Sequence, residues 1–230
     1  VLEEQLWVAL EEYLTYGGYP AVVLETHPKD KIERLQEIRD SFVKRDILEA
    51  GVTDEIKFYR LMMLLASQTG NLLNTNELAN TLRLTHPAAE QFLYVLQKSF
   101  HIGLVKPFFQ NLRKELVKMP KVYFNDLGLR NVLINYLAPL EQRADKGALL
   151  ENYVYRRIME QYPKDQLKFW RTADGNEVDF IIEENAFSGK AIEVKFNATE
   201  ANPNKYKKFT EAYPHFPLQF NAWREHNLML

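Results

Sequence analysis

Apolar residues recur at helical spacing from the first turn of the chain: Leu2, Leu6, Leu10 and Leu14 mark one stripe. The stripe stops at Tyr16-Gly17-Gly18-Tyr19-Pro20, where paired glycines release the backbone and the proline bars further helix. A second helix is predicted after Pro28, with Ile32, Leu35, Ile38, Phe42 and Val43 on one face, and a third over about Glu55 to Ser67. Two shorter helices follow. Asn76 is expected to cap the first, which runs through Leu82. After Arg83-Leu84, Thr85 is a good cap for the second, with Pro87 just inside the first turn and an end near Lys98. So brief a connection is a helix-turn-helix signature.

The period then changes. Ile102 to Phe108 reads as a strand, Asn111-Leu112-Arg113-Lys114 as a turn, and Lys121-Val122-Tyr123-Phe124 as the returning strand. A helix-turn-helix (about 76–98) followed by a hairpin (about 102–124) is a winged helix. Small and charged residues over about 138–146 mark a linker. The remainder reads helix (Ala148 to Gln161), three strands (Lys168 to Arg171, Glu177 to Ile182, Lys190 to Phe196), helix (Asn204 to Ala212) and strand (Leu218 to Asn221). The expected class is α+β: a helical and winged-helix domain over 1–140, then a small α/β domain over 145–230.

Composition narrows the chemistry. The 230 residues carry a net charge of −2, so a nucleic-acid surface must come from local clustering. There is no cysteine, which excludes disulfides and thiolate chemistry and fits the cytoplasm, the compartment we expect. No apolar run approaches the ~20 residues that span a bilayer, so no membrane association is expected. Val1 opens the chain without an initiator methionine and the helical stripe begins at Leu2, so we expect a piece of a longer protein.

Strand alternation places Glu177 and Asp179 on one face of their strand, and Glu193 and Lys195 together on the next. An antiparallel pairing would bring Asp179 and Glu193 side by side. Two hard oxygen ligands suit Mg²⁺ or Mn²⁺. Lys195 could then stabilise charge on a phosphate, and Glu151 could add a carboxylate from the preceding helix. A half-buried hairpin alternates apolar and charged residues in any case, so the pattern alone leaves a purely structural role open. Lys106, Arg113, Lys114, Lys118 and Lys121 against only Glu115 would give the wing a basic strip suited to DNA phosphates. The five histidines show no metal-ligand spacing, and no Gly-x-x-x-x-Gly-Lys-Ser/Thr loop exists to hold ATP.

Glu151, Asp179 within Glu177-Val178-Asp179-Phe180, and Glu193-Val194-Lys195 resemble the signature of the PD-(D/E)xK nuclease-like superfamily. With Gly17-Gly18-Tyr19-Pro20, Lys121 to Leu129, Leu150-Glu151-Asn152 and Phe169-Trp170-Arg171, the order of motifs resembles the C-terminal half of a family of bacterial and archaeal AAA+-type ATPases. The resemblance implies a restriction-endonuclease-like tail with Glu151, Asp179, Glu193 and Lys195 as its site, Asp179 and Glu193 on a Mg²⁺ or Mn²⁺ ion, and DNA as partner. ATP would bind only in a module outside this chain. Asn176-Glu177 stands where the literal Pro-Asp pair would be. The alternative is a binding or regulatory module that uses the nuclease-like fold as a scaffold.

Overall fold

The computed structural model describes residues 2–49, 51–52, 54–108, 118–225 and 228. The chain forms two compact units. The first holds Val1–Gly103 and Val122–Arg143, the second Leu104–Lys121 and Ala144–Leu230. The chain therefore changes unit three times, whereas a division at 140/145 has it cross once. Among the described residues no helix is long and apolar enough to cross a membrane.

The helices of the first unit are α1 (Leu2–Tyr16), α2 (Pro20–Val23), α3 (Pro28–Glu49), α4 (Glu55–Ser67), α5 (Thr75–Leu82), α6 (His86–Lys98) and α7 (Leu127–Leu133). The stripes read from sequence supply much of the core: Leu10 and Leu14 of α1, Leu35 of α3, Phe58, Leu61 and Leu65 of α4, and Phe92 and Leu96 of α6 are buried, whereas Leu2 and Leu6, read as the start of the α1 stripe, are exposed and Trp7 is buried instead. Phe58 meets Phe92 edge to face, with centroids 5.3 Å apart. Asn74, not Asn76, caps α5; its side chain accepts the Glu77 N–H at 3.2 Å. Arg83 ends that helix in the left-handed region, at φ 52°. Thr85 then accepts the Ala88 N–H at 3.3 Å to open α6. Thr85→Ala should lower stability by ~1 kcal/mol, the usual worth of an N-cap; urea unfolding would show it, and an unchanged midpoint would mean water replaces the cap.

The Gly-Gly-Tyr-Pro turn and the Asn-Asp-Leu-Gly motif, over a hundred residues apart, meet. Gly17, at φ 76°, closes α1 by donating to the Tyr13 carbonyl at 2.8 Å. The next amide, Gly18, donates to Asp126 Oδ2 at 2.8 Å, while Asp126 Oδ1 caps α7 through the Leu129 N–H at 2.8 Å. One carboxylate thus ties a helix end to a helix start. Pro20, read as a stop, also begins the single turn of α2. All of α7 is buried, including Arg130 and Asn131. Their polar atoms are satisfied: Asn131 Nδ2 donates to the Leu14 and Thr15 carbonyls, both at 2.9 Å, and Arg130 Nε to the Ala66 carbonyl at 2.8 Å.

Strands β1 (Ile102–Pro107), β2 (Lys121–Phe124), β3 (Leu167–Arg171), β4 (Glu177–Asn185), β5 (Ser188–Lys195) and β6 (Leu218–Ala222) form a mixed sheet in the order β2-β1-β3-β4-β5-β6. β1 and β2, read as a wing, are neighbours, but β1 also runs parallel to β3, with Lys106 opposite Lys168. The two strands are therefore the start of the sheet rather than a free ribbon. The expected turn at 111–114 lies outside the described residues.

Within the second unit, α8 (Lys146–Gln161) precedes β3 and packs on β5, and α9 (Lys207–Ala212) precedes β6. Phe108, Trp170, Val178, Ile181, Ala191, Tyr206, Phe209 and Phe216 make one apolar cluster in this unit. β3–β4 and β4–β5 are antiparallel, and β5–β6 is parallel. Trp170 pairs with Val178 but Lys168 pairs with Ile181, so two residues of β4, Asp179 and Phe180, face one residue of β3. Such a bulge twists the strand and re-aims a side chain.

Candidate functional site

The β4–β5 ladder pairs Phe180 with Ile192 and goes no further. The next facing positions are Asp179 and Glu193. Beyond the last backbone pair each carboxylate serves an amide of the opposite strand: Asp179 Oδ2 accepts the Val194 N–H at 2.9 Å, and Glu193 Oε2 accepts the Asp179 N–H at 3.3 Å. The carboxylates thus continue the ladder after the backbones part. Both residues are buried, at 8% and 4% exposure.

Two cations hold the ends of this pair. Lys195 Nζ lies 2.5 Å from Glu193 Oε1, and the Tyr206 hydroxyl donates to the same oxygen at 2.7 Å. At the other end is Lys121. Its Nζ lies 2.6 Å from Glu177 Oε1, 3.1 Å from Glu151 Oε1 and 3.7 Å from Asp179 Oδ1. The second oxygen of Glu177 takes Arg171 at 2.9 Å. The Phe169 ring, with its centroid 5.5 Å from Nζ, covers a further side of the ammonium.

Electrostatics follows from burial. Loss of water, then the charge of Asp179, pushes the Glu193 carboxyl up from 4.5 to about 7, against the donors Lys195 and Tyr206. Burial also raises Asp179, opposed by Lys121 and the Val194 amide. The pair therefore keeps a proton to higher pH than free carboxylates do. Burial pulls both lysines down, but Glu151, Asp179 and Glu177 outweigh it at Lys121, and Glu193 outweighs it at Lys195, so both ammoniums are held protonated.

The structure brings Glu151, Asp179, Glu193 and Lys195 into one network. It divides the expected basic strip. Lys106 and Lys118 are exposed, and Arg113 and Lys114 lie outside the described residues. Lys121 is corrected: at 1% exposure, paired with three carboxylates, it cannot lie on a solvated strip that meets DNA phosphates. Sequence reasoning missed Lys121, Glu177 and Tyr206 as members of the network. Tyr206, in Asn202-Pro203-Asn204-Lys205-Tyr206, carries no spacing signal. For Lys121 there was a signal of number only, since four acids against Lys195 on half-buried elements call for a further cation.

The donors of this site are hard carboxylate oxygens. Among the described residues no group of three or more His, Cys, Asp or Glu forms a ready metal cage. Mg²⁺ commonly makes do with one or two carboxylates, keeping water in its other positions, and Asp179 and Glu193 are two carboxylates at facing positions of adjacent strands. Burial is the main cause of the pair's raised proton affinity, with the charge of Asp179 second at Glu193. A groove of about 930 Å³ in the first unit, lined by Lys57, Arg60, Met63 and Arg83 among others, contains none of these carboxylates.

Comparison with known proteins places both units. Residues 146–224 match a domain of unknown function, DUF4143. Curated relatives include an uncharacterised protein of Haemophilus influenzae, 29% identical over 213 residues, covering 86% of this chain and 50% of the relative. Another, of Mycobacterium tuberculosis, is 27% identical over 188 residues, covering 80% of this chain and 42% of the relative. A third, of Methanocaldococcus jannaschii, is 24% identical over 210 residues, covering 88% and 45%. The chain thus spans half or less of the length of these relatives. No solved structure matches it. Residues 8–140, more than half of the chain, match the domain of unknown function DUF8612, and the chain belongs to that family.

Proposed function

We propose that the second unit carries a metal-dependent phosphodiesterase site of the PD-(D/E)xK type. In this reading the chain is the DNA-interacting part of an AAA+-type ATPase, with α5 and α6 acting as the helix-turn-helix of a winged helix. The observation that carries the site is the facing Asp179–Glu193 pair, buried, with Lys195 at 2.5 Å from Glu193. The ATPase and DNA parts rest on the order of motifs alone.

Asp179 and Glu193 would hold the ion, Mg²⁺ or Mn²⁺. When bound it would neutralise phosphate oxygens and lower the pKa of a water. The chain's own residues do the rest. Tyr206 fixes the orientation of Glu193. Lys195, held protonated, is suited to stabilise negative charge growing on a phosphate and unsuited to act as a base. Glu151, at 18% side-chain exposure, can hold a water at the edge of the network.

Heat unfolding with and without Mg²⁺ or Mn²⁺ tests the ion. A ligand that binds only the folded state raises the midpoint, so the wild type should gain stability and Asp179→Asn should not. Cleavage of single-stranded, duplex and branched DNA with Mn²⁺ tests the chemistry, and Lys195→Ala should lower the rate by about 10²-fold or more. A second reading, a binding or regulatory module on a nuclease-like scaffold, is favoured by Lys121, whose ammonium already supplies positive charge among the acids. Absence of any metal effect on the wild type would leave that reading standing.

A further inference from the structure

The phosphodiesterase reading gives no task to Lys121, the most deeply buried charge of the network. Three carboxylates from α8 and β4 converge on its Nζ at 2.6, 3.1 and 3.7 Å, and its side chain is 2% exposed. Convergence of this kind differs from a surface ion pair. Glu151, Glu177 and Asp179 enclose a place for a cation, and the Phe169 ring shields it. An isolated buried charge costs several kcal/mol unless it is paired, so the acids and the ammonium need one another. The other end of the network is arranged differently. There Glu193 and the second oxygen of Asp179 meet backbone amides, Tyr206 and the half-buried Lys195.

We propose that Lys121 is a built-in cation of the site. Its ammonium fills the place between Glu151, Glu177 and Asp179 that a metal ion would otherwise take, leaving the Asp179–Glu193 end for a single divalent ion. The first part concerns Lys121 alone; the second rests on the metal reading above. Lys121 is a positioning residue here: it fixes how many ions the network accepts.

The test is the number of ions bound. Chelator-treated wild type and Lys121→Met are titrated with Mn²⁺ by calorimetry, with thermal unfolding at each metal concentration. One ion on the wild type and two on Lys121→Met support the inference and the metal reading together. No ion on the wild type and one on the variant support Lys121 as the built-in cation and overturn the metal reading of the Asp179–Glu193 end. One ion on each, with equal shifts in midpoint, overturns the inference and leaves the metal reading intact. No ion on either overturns both. Two ions on the wild type overturn the inference whatever the variant does. A Lys121→Met chain that folds only in Mn²⁺ supports it, because the ion then does the work of the ammonium. If that chain does not fold in either condition, Lys121→Met with Glu177→Gln removes one charge of each sign. That double variant should bind one ion more than the wild type, and an unchanged count overturns the inference.

Discussion

Gly128→Ala should destabilise the first unit by ~3 kcal/mol or more, and should do so without touching the carboxylate network. A Cβ at this position would lie 2.0 Å from the Tyr16 carbonyl oxygen and 2.4 Å from its carbon. Both are backbone atoms at the end of α1, so no rotamer change can move them aside. Leu35, whose Cδ2 would be 2.9 Å away, closes the remaining side. Relief requires α7 to withdraw from α1, and that motion breaks other bonds. Asp126 would lose its hold on the Gly18 amide, and Asn131 its hold on the Leu14 and Thr15 carbonyls. Overpacking alone costs about 1–3 kcal/mol, and buried carbonyls left without donors add ~1 kcal/mol or more each. Urea unfolding monitored by circular dichroism would measure the loss. A shift below ~1 kcal/mol would mean that the close approach of α1 and α7 is not needed for stability.

Metal-free wild type should become less stable as the pH rises from about 4.5 to about 7.5, and Glu193→Gln should lose the part of that slope that Glu193 carries. In the folded chain Glu193 titrates near 7, against 4.5 for an unburied glutamate. Between those values the folded state holds a proton that the unfolded state has released, so stability falls with increasing pH. The contribution is fully present below 4.5 and is lost as the pH passes through 7. A rise of this size corresponds to ~3 kcal/mol at most. Asp179 shifts in the same direction, chiefly through its own burial, so it adds a slope of the same sign that the glutamine variant keeps. Carboxylates elsewhere, such as Asp174, whose contact with Lys208 lowers it, act with the opposite sign but equally in both chains. The measured quantity is therefore the difference in unfolding free energy, wild type minus variant, across the pH range. A difference independent of pH would show that Lys195 keeps Glu193 ionised in the folded chain.

What the sequence displayed was periodicity. The stripes of α1, α3, α4 and α6 are visible because one face is apolar and the other solvated. The pairing of Asp179 with Glu193 is visible for the same reason, since strand alternation fixes which side chains share a face and a short hairpin fixes the register. The bulge at Asp179–Phe180 is not, because the extra residue shows only against the partner strand. Nor is α7: Leu127–Leu133 is buried all round, so it has no polar face, and no local pattern shows that Arg130 and Asn131 reach the Leu14, Thr15 and Ala66 carbonyls. Lys121 failed for a related reason. A lysine among other basic residues resembles a solvated strip, and its three partners stand thirty or more residues away along the chain.

The interrupted path of the chain bears on how such a protein could be cut or inherited. A tail beginning at Ala144, excised by a protease or joined to another protein by recombination, would contain Glu151, Glu177, Asp179, Glu193 and Lys195 but neither β1 nor Lys121. β3 would lose its parallel neighbour and expose an unpaired edge. Four acids would face one another with Lys195 and Arg171 as their cations. The portion that looks like a portable module on sequence boundaries is thus electrically incomplete, and the residue it lacks lies on the other side of a stretch of chain belonging to the first unit.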